Sequence, residues 1–206
     1  GEIYIKYSPL GNNNLEHFLL SEGAEPVVPG LTDFIIFKIN NREVDVDLYG
    51  GKWIKKKVCQ IFENYVKKCQ RAMIAAMAEG GFRAPGTFDD LRRLIHGYLG
   101  EGNKMGEGWL LTAEMLELIH SGTGNIVCTQ PFGCLPNHIV GKGMIRKLKD
   151  DYPYSNIVAI DYDPSATQIN QENRIKLMLA NARALAKEES AQTAPQAAED
   201  RTPVGV

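Results

Sequence analysis

Asn125-Ile126-Val127-Cys128-Thr129-Gln130-Pro131-Phe132-Gly133-Cys134-Leu135-Pro136-Asn137-His138-Ile139-Val140-Gly141-Lys142-Gly143-Met144 decides how the chain is read. The apolar run at its start fits a buried strand, and the residues after Pro136 follow a helical pattern, so Cys134 falls at a strand-to-helix turn. In open parallel sheets, ligands bind beyond the carboxyl ends of strands, where the next helix presents unpaired N–H groups. Gly133 permits positive φ or close backbone approach, and Pro136 suits a first helical turn. Such a turn favours the anionic form of a thiol, which makes a better metal ligand or nucleophile. Cys134 also reads as a packing residue, and His138 as a second ligand, a proton carrier or plain surface. Cys128, inside the strand, reads as core.

Outward from this turn, a second strand, Asn156-Ile157-Val158-Ala159-Ile160, ends at Asp161-Tyr162-Asp163-Pro164. Asp161 and Asp163 therefore stand at a carboxyl edge, where two carboxylates could bind a cation or hold a water. Asp163-Pro164-Ser165 equally reads as a turn that starts a helix. That helix covers Gln168 to Leu185, with Ile175, Met178, Leu179 and Ala182 on its packed stripe.

At the front, Glu2 to Tyr7 alternates like a strand and leads into Asn12-Asn13-Asn14. A short helix through Leu15, Phe18 and Leu19 follows, then extended Glu25-Pro26-Val27-Val28-Pro29, giving a strand–helix–strand unit. The Asn13 loop would meet a polar ligand at the same edge, or cap the helix through Asn13 or Asn14. Phe34-Ile35-Ile36-Phe37 is too short to type. From Lys52 to Met77 the apolar residues Ile54, Val58, Ile61, Phe62, Tyr65, Cys69, Ala72, Met73 and Ala76 share one helical face, expected to pack inward with Cys69. Thr87 is expected to cap a helix running to Gly100, and Trp109 to His120 forms another. The glycine-rich loop at 100–108 matches no phosphate-binding pattern.

These elements predict an α/β protein with a flavodoxin- or Rossmann-like parallel sheet of about four strands, spanning residues 1–186. A helical insertion occupies about 44–122, and a disordered tail covers 187–206. The 206 residues are 44% hydrophobic and 23% charged, with net charge −2 and a pI near 6.1, which argues against a nucleic-acid partner. No stretch approaches the roughly 18 apolar residues of a membrane span, so a cytoplasmic protein is expected. Four cysteines without CxxC spacing indicate neither a disulfide scaffold nor a self-contained zinc site. The chain lacks an opening Met and begins at once on a strand pattern, so it is expected to be part of a longer protein.

Gln130 to Met144, Asn156 to Pro164 and Asn170-Gln171-Glu172-Asn173-Arg174-Ile175-Lys176-Leu177-Met178 resemble the C-terminal part of 2-hydroxyacyl-CoA dehydratase activases and activase-related proteins. Gly1-Glu2-Ile3-Tyr4-Ile5-Lys6, Asn12-Asn13-Asn14, Glu22-Gly23-Ala24-Glu25 and Gly106-Glu107-Gly108-Trp109-Leu110-Leu111 carry the same likeness, to domains like those of the 2-hydroxyglutaryl-CoA dehydratase D component. The resemblance implies an oxygen-sensitive [4Fe–4S] cluster with Cys134 as a ligand and its other ligands from outside this chain. Around that ligand, His138 and the Gln130-Pro131 turn are expected to shape its surroundings, the Asn12 to Asn14 loop, with Asn13, to face the same cleft, and Gly133 and Asp161 to stand beside them. The resemblance also implies an anaerobic system of low-potential electron transfer, whose partners are the rest of a longer chain, an ATP-dependent activator domain and a dehydratase subunit. No ATP-binding domain of that kind is present in these residues, and the chain alone is expected to be inactive. Two other readings stand beside this one. One is a non-catalytic docking domain that binds the activator or a sister subunit without a cluster. The other is a thiol enzyme with Cys134 as nucleophile and His138 as base.

Overall fold

The computed structural model describes residues 1–163 and 165–193, with side chains through residue 188. Its sheet has two parallel strands, β1 (Asn125–Pro131) and β2 (Asn156–Tyr162), with Asn125 beside Asn156 and Pro131 beside Tyr162. Both follow from continuous β-branched runs that are covered on two faces. The alternation sorts their side chains. Ile126, Cys128, Ile157 and Ala159 face one core, and Val127, Val158, Ile160 and Tyr162 face the other.

Eight α-helices are described: α1 (Ile3–Tyr7), α2 (Leu15–Ser21), α3 (Leu31–Tyr49), α4 (Trp53–Glu79), α5 (Phe88–Ile95), α6 (Leu110–His120), α7 (Ile145–Asp151) and α8 (Gln168–Thr193). On the first face of the sheet, Trp109, Leu110, Leu116 and Ile119 at α6 pack with Phe88, Leu91 and Ile95 of α5 and Ile36 and Phe37 of α3. The Trp109 ring meets Phe37 edge-on at 5.2 Å. On the second face, Ile175, Met178 and Leu179 of α8 pack with Ile5, Leu15, Phe18 and Leu19. Helices therefore sandwich the sheet, as an α/β protein requires.

The four-stranded sheet is not observed. Glu2 to Tyr7 does not form a strand: the chain leaves the sheet after Glu2 N–H donates to Thr129 O at 3.1 Å, and Ile3–Tyr7 coils into α1. Glu25–Pro29 is extended but joins no ladder. Phe34–Phe37, too short to type alone, lies within the 19-residue α3. The helix from Gln168 does not end near 186, because α8 runs on through residues 187–193, which were expected to be tail. The rest of that tail, 194–206, lies outside the described residues.

Helix α4 forms where periodicity places it, but its faces are reversed. Ile61 is 72% and Tyr65 63% exposed, Ile54, Val58 and Phe62 are exposed with them, and Gln70 is only 4% exposed. Cys69 is exposed too, and Cys59 half-buried, so neither is core. A polar seam replaces the expected apolar one. Gln70 Nε2 donates to Asp33 Oδ1 of α3 at 2.6 Å, and Gln70 Oε1 accepts from Phe88 N–H of α5 at 3.2 Å. Lys67 lies 2.6 Å from both Glu63 and Asp89, and Asn40 donates to Glu63 at 3.2 Å. Buried polar groups hold only when they are paired in this way. Thr87 and Asp90 form the reciprocal cap expected at the start of α5.

Candidate functional site at the carboxyl edge of the sheet

Beyond Pro131 the chain turns through Phe132 and Gly133, and Gly133 takes the positive φ of 73° that its lack of a Cβ allows. Cys134 follows, half-buried. Asn137–Gly141 is then a π-helical turn, continued by a 3₁₀ turn at Lys142–Met144 before α7 begins. The widened turn is matched from below: the buried Thr112 hydroxyl donates to the Val140 carbonyl. Irregular turns of this kind are frequent at functional sites.

That geometry turns Asn137 inward. Its side chain is 0% exposed, and Nδ2 stands 3.2 Å from Cys134 Sγ and 3.2 Å from Glu2 Oε2. Glu107 stands beside Glu2, and its Oε1 also accepts from Ile3 N–H at 3.1 Å. Burial and the neighbouring Glu107 carboxylate push the Glu2 carboxyl up to about 7. Glu107 arrives on the loop at 100–108, whose glycines have a packing reason. A Cβ at Gly108 would overlap the Asn103 carbonyl, and one at Gly106 would press on Pro136 at 3.3 Å.

A second polar group adjoins the first. His138 Nε2 accepts from Gly133 N–H at 3.2 Å and lies 3.8 Å from Asp161 Oδ1. Asp161 also accepts from Gln130 Nε2 at 2.5 Å and faces Lys142 Nζ at 3.6 Å. Asn13 Nδ2 donates to Gln171 Oε1 at 2.7 Å, and Gln171 Nε2 to the Asp161 carbonyl at 3.0 Å. The structure thus brings Asn13, Gly133, Cys134, His138 and Asp161 to one edge. Asp163 stays apart, because its carboxylate accepts from Ser165 N–H at 2.9 Å, a turn-forming bond. Helix capping falls to neither Asn13 nor Asn14 but to Asn12, whose Oδ1 accepts from Leu15 N–H at 3.1 Å. Asn13 and Asn14 instead take positive φ.

Residue types and spacing did not single out Glu2, Glu107 or Gln171. Gln130 and Asn137 sit inside the quoted stretch and were legible as polar residues in a buried setting. Gln130 Oε1 and Asn137 Oδ1 are buried without a hydrogen-bond partner among the described residues. No group of three or more His, Cys, Asp or Glu side chains among the described residues could hold a metal ion. The edge offers one thiol where a [4Fe–4S] cluster needs about four ligands, so these residues do not by themselves fit a cluster. The His138 backbone N–H donates to the Cys134 carbonyl at 3.0 Å, but His138 Nε2 is engaged by Gly133 N–H and no hydrogen bond joins the Cys134 thiol to the His138 ring among the described residues, so the geometry lends no support to a nucleophile–base pair.

No family model, no curated protein and no solved structure matches the chain. No described helix is long and apolar enough to cross a membrane.

Proposed function

We propose that this chain is an α/β domain of an anaerobic iron–sulfur 2-hydroxyacyl-CoA dehydratase or activase system, working in the cytoplasm, and that Cys134 is its one ligand to a [4Fe–4S] cluster used in low-potential electron transfer. The remaining ligands come from outside the described residues, either from the rest of a longer chain that carries the ATP-dependent activator domain or from a dehydratase subunit. The observation that carries the proposal is the Asn137 amide on Cys134 Sγ. A fully buried side chain is spent on orienting a thiol at the carboxyl edge, where α/β proteins place their ligands. Donors to sulfur and surrounding polarity are also the means by which a protein tunes such clusters. Gln130 and Asn137 supply the polar wall, each with an oxygen that has no hydrogen-bond partner among the described residues. His138, Asp161, Gly133 and Asn13 complete the rim.

A second reading rests on a different observation. Phe132, Leu135 and Ile139, the residues that flank Cys134 in sequence, are all exposed. That suits a surface that grips the activator or a sister subunit without any metal.

Alkylation separates the two. In the intact protein kept free of oxygen, iodoacetamide should modify Cys134 only after iron is chelated. Modification at an equal rate before and after chelation would leave the docking surface as the better account.

A further inference from the structure

β1 has one edge on β2 and one edge on a cleft. Phe132 N–H donates to Tyr162 O, and Gly124 O accepts from Asn156 N–H, so the even-numbered residues along β1 turn their backbone groups toward β2. Thr129 O points the other way, to Glu2 N–H. By the same alternation Asn125, Val127 and Thr129 direct their N–H and C=O groups away from β2, into a cleft of about 980 Å³ that runs along Asn125 to Thr129.

Beside the strand its walls carry apolar side chains, Met115 and Leu118 from α6 on one side and Met178 and Leu179 from α8 on the other, while charged residues such as Glu114, Arg83 and Arg183 also line it. Across the cleft stand Val27 and Val28, in the extended stretch that joins no ladder. Among the described residues no strand pairs with this edge, and an unpaired strand edge is a ready template for another strand. A flat strand would satisfy both sides at once, since strands lie about 4.8 Å from each neighbour.

We propose that the cleft is the seat of a third parallel β-strand, an apolar extended segment that runs beside β1 and leads directly into Gly1. The bond from Glu2 N–H to Thr129 O is then the last rung of its ladder, and the residues two and four places before Glu2 would donate to Val127 O and Asn125 O. Helices cover both faces, so the segment is apolar at successive positions rather than alternating. The added strand would also give Val27 and Val28 an edge to pair with, making a four-stranded sheet.

The test compares three N-terminal fusions to Gly1: Val-Ile-Val-Ile-Val, Gly-Ser-Gly-Ser-Gly, and Pro-Val-Pro-Val-Pro, which lacks the N–H donors at the positions two and four places before Glu2. Amide hydrogen exchange is followed at Val127 and Thr129, with Ile126 and Cys128 as internal controls in the β2 ladder. The Val-Ile fusion should slow exchange at Val127 and Thr129 by about 100-fold or more, at any protein concentration, with little change at the controls. The other two fusions should leave it fast. The proposal is overturned if the Val-Ile fusion gives no slowing, if all three slow it equally, or if the slowing depends on protein concentration.

Discussion

Asn137 Nδ2 lies 3.2 Å from Cys134 Sγ, and the same amide reaches Glu2 at 3.2 Å. One buried side chain therefore couples the thiol at the sheet edge to the first residues of the chain. Asn137→Ala should cost about 1–3 kcal/mol, the usual penalty for removing one partner of buried polar groups. Asn137→Asp should cost more, because it adds a third carboxylate beside Glu2 and Glu107. Urea unfolding of the two variants checks the order.

Stability should fall as pH rises. Burial raises Glu2, Asp33 and Glu43 to about 7 in the folded protein, above ordinary values of 4.5, 3.8 and 4.5. The folded state then holds more protons than the unfolded state between about pH 4 and 7, and stability declines through that window. Each carboxyl contributes on the order of 1–3 kcal/mol. Asp90 and Asp45 are held low by Thr87 and Lys104, so their effect is confined below that window. Chemical denaturation across pH 4–8 should show the decline, and Asp33→Asn should flatten it.

The two faces of α4 should respond in the opposite sense to a typical amphipathic helix. Val58→Gln and Ile61→Gln, at exposed positions, should stay within about 0.5 kcal/mol of the wild type. Gln70→Leu adds apolar volume yet strands the Asp33 carboxyl and the Phe88 N–H, and should cost about 2–4 kcal/mol. Equal losses at Ile61 and Gln70 would mean that the helix packs the other way round.

Thiol labelling reads the same structure independently. Under native conditions iodoacetamide should modify Cys69 and Cys134 in the isolated chain, whereas Cys128 is buried and its thiol is pushed up by burial. Cys128 should react only when the chain unfolds, which mass spectrometry of peptides taken before and after denaturation would show.

Much of this was legible in the residues. β1 and β2 are continuous apolar runs closed by turn formers, and Gly133 and Thr87 behave as their chemistry requires. Periodicity located α4 but could not say which face is buried, because the Asp33–Gln70 and Lys67–Asp89 pairs join residues far apart in sequence. Glu2–Tyr7 alternates like a strand, yet the backbone bond to β1 comes from Glu2, and Lys6 is drawn to Glu114 at 2.6 Å as α1 forms. At the edge, Cys134 and His138 stand out by type. The Asn137 and Glu107 contacts depend on a π-helical turn and a glycine loop that local pattern does not encode.

The most direct measurement is iron and acid-labile sulfide content, with an EPR spectrum, on the full-length polypeptide purified without oxygen, wild type beside Cys134→Ser. The account predicts iron and sulfide in near-equal amounts and a reduced-cluster signal in the wild type, with both lost or strongly reduced in the variant. Iron retained in full by Cys134→Ser, or absent from both proteins, would contradict it.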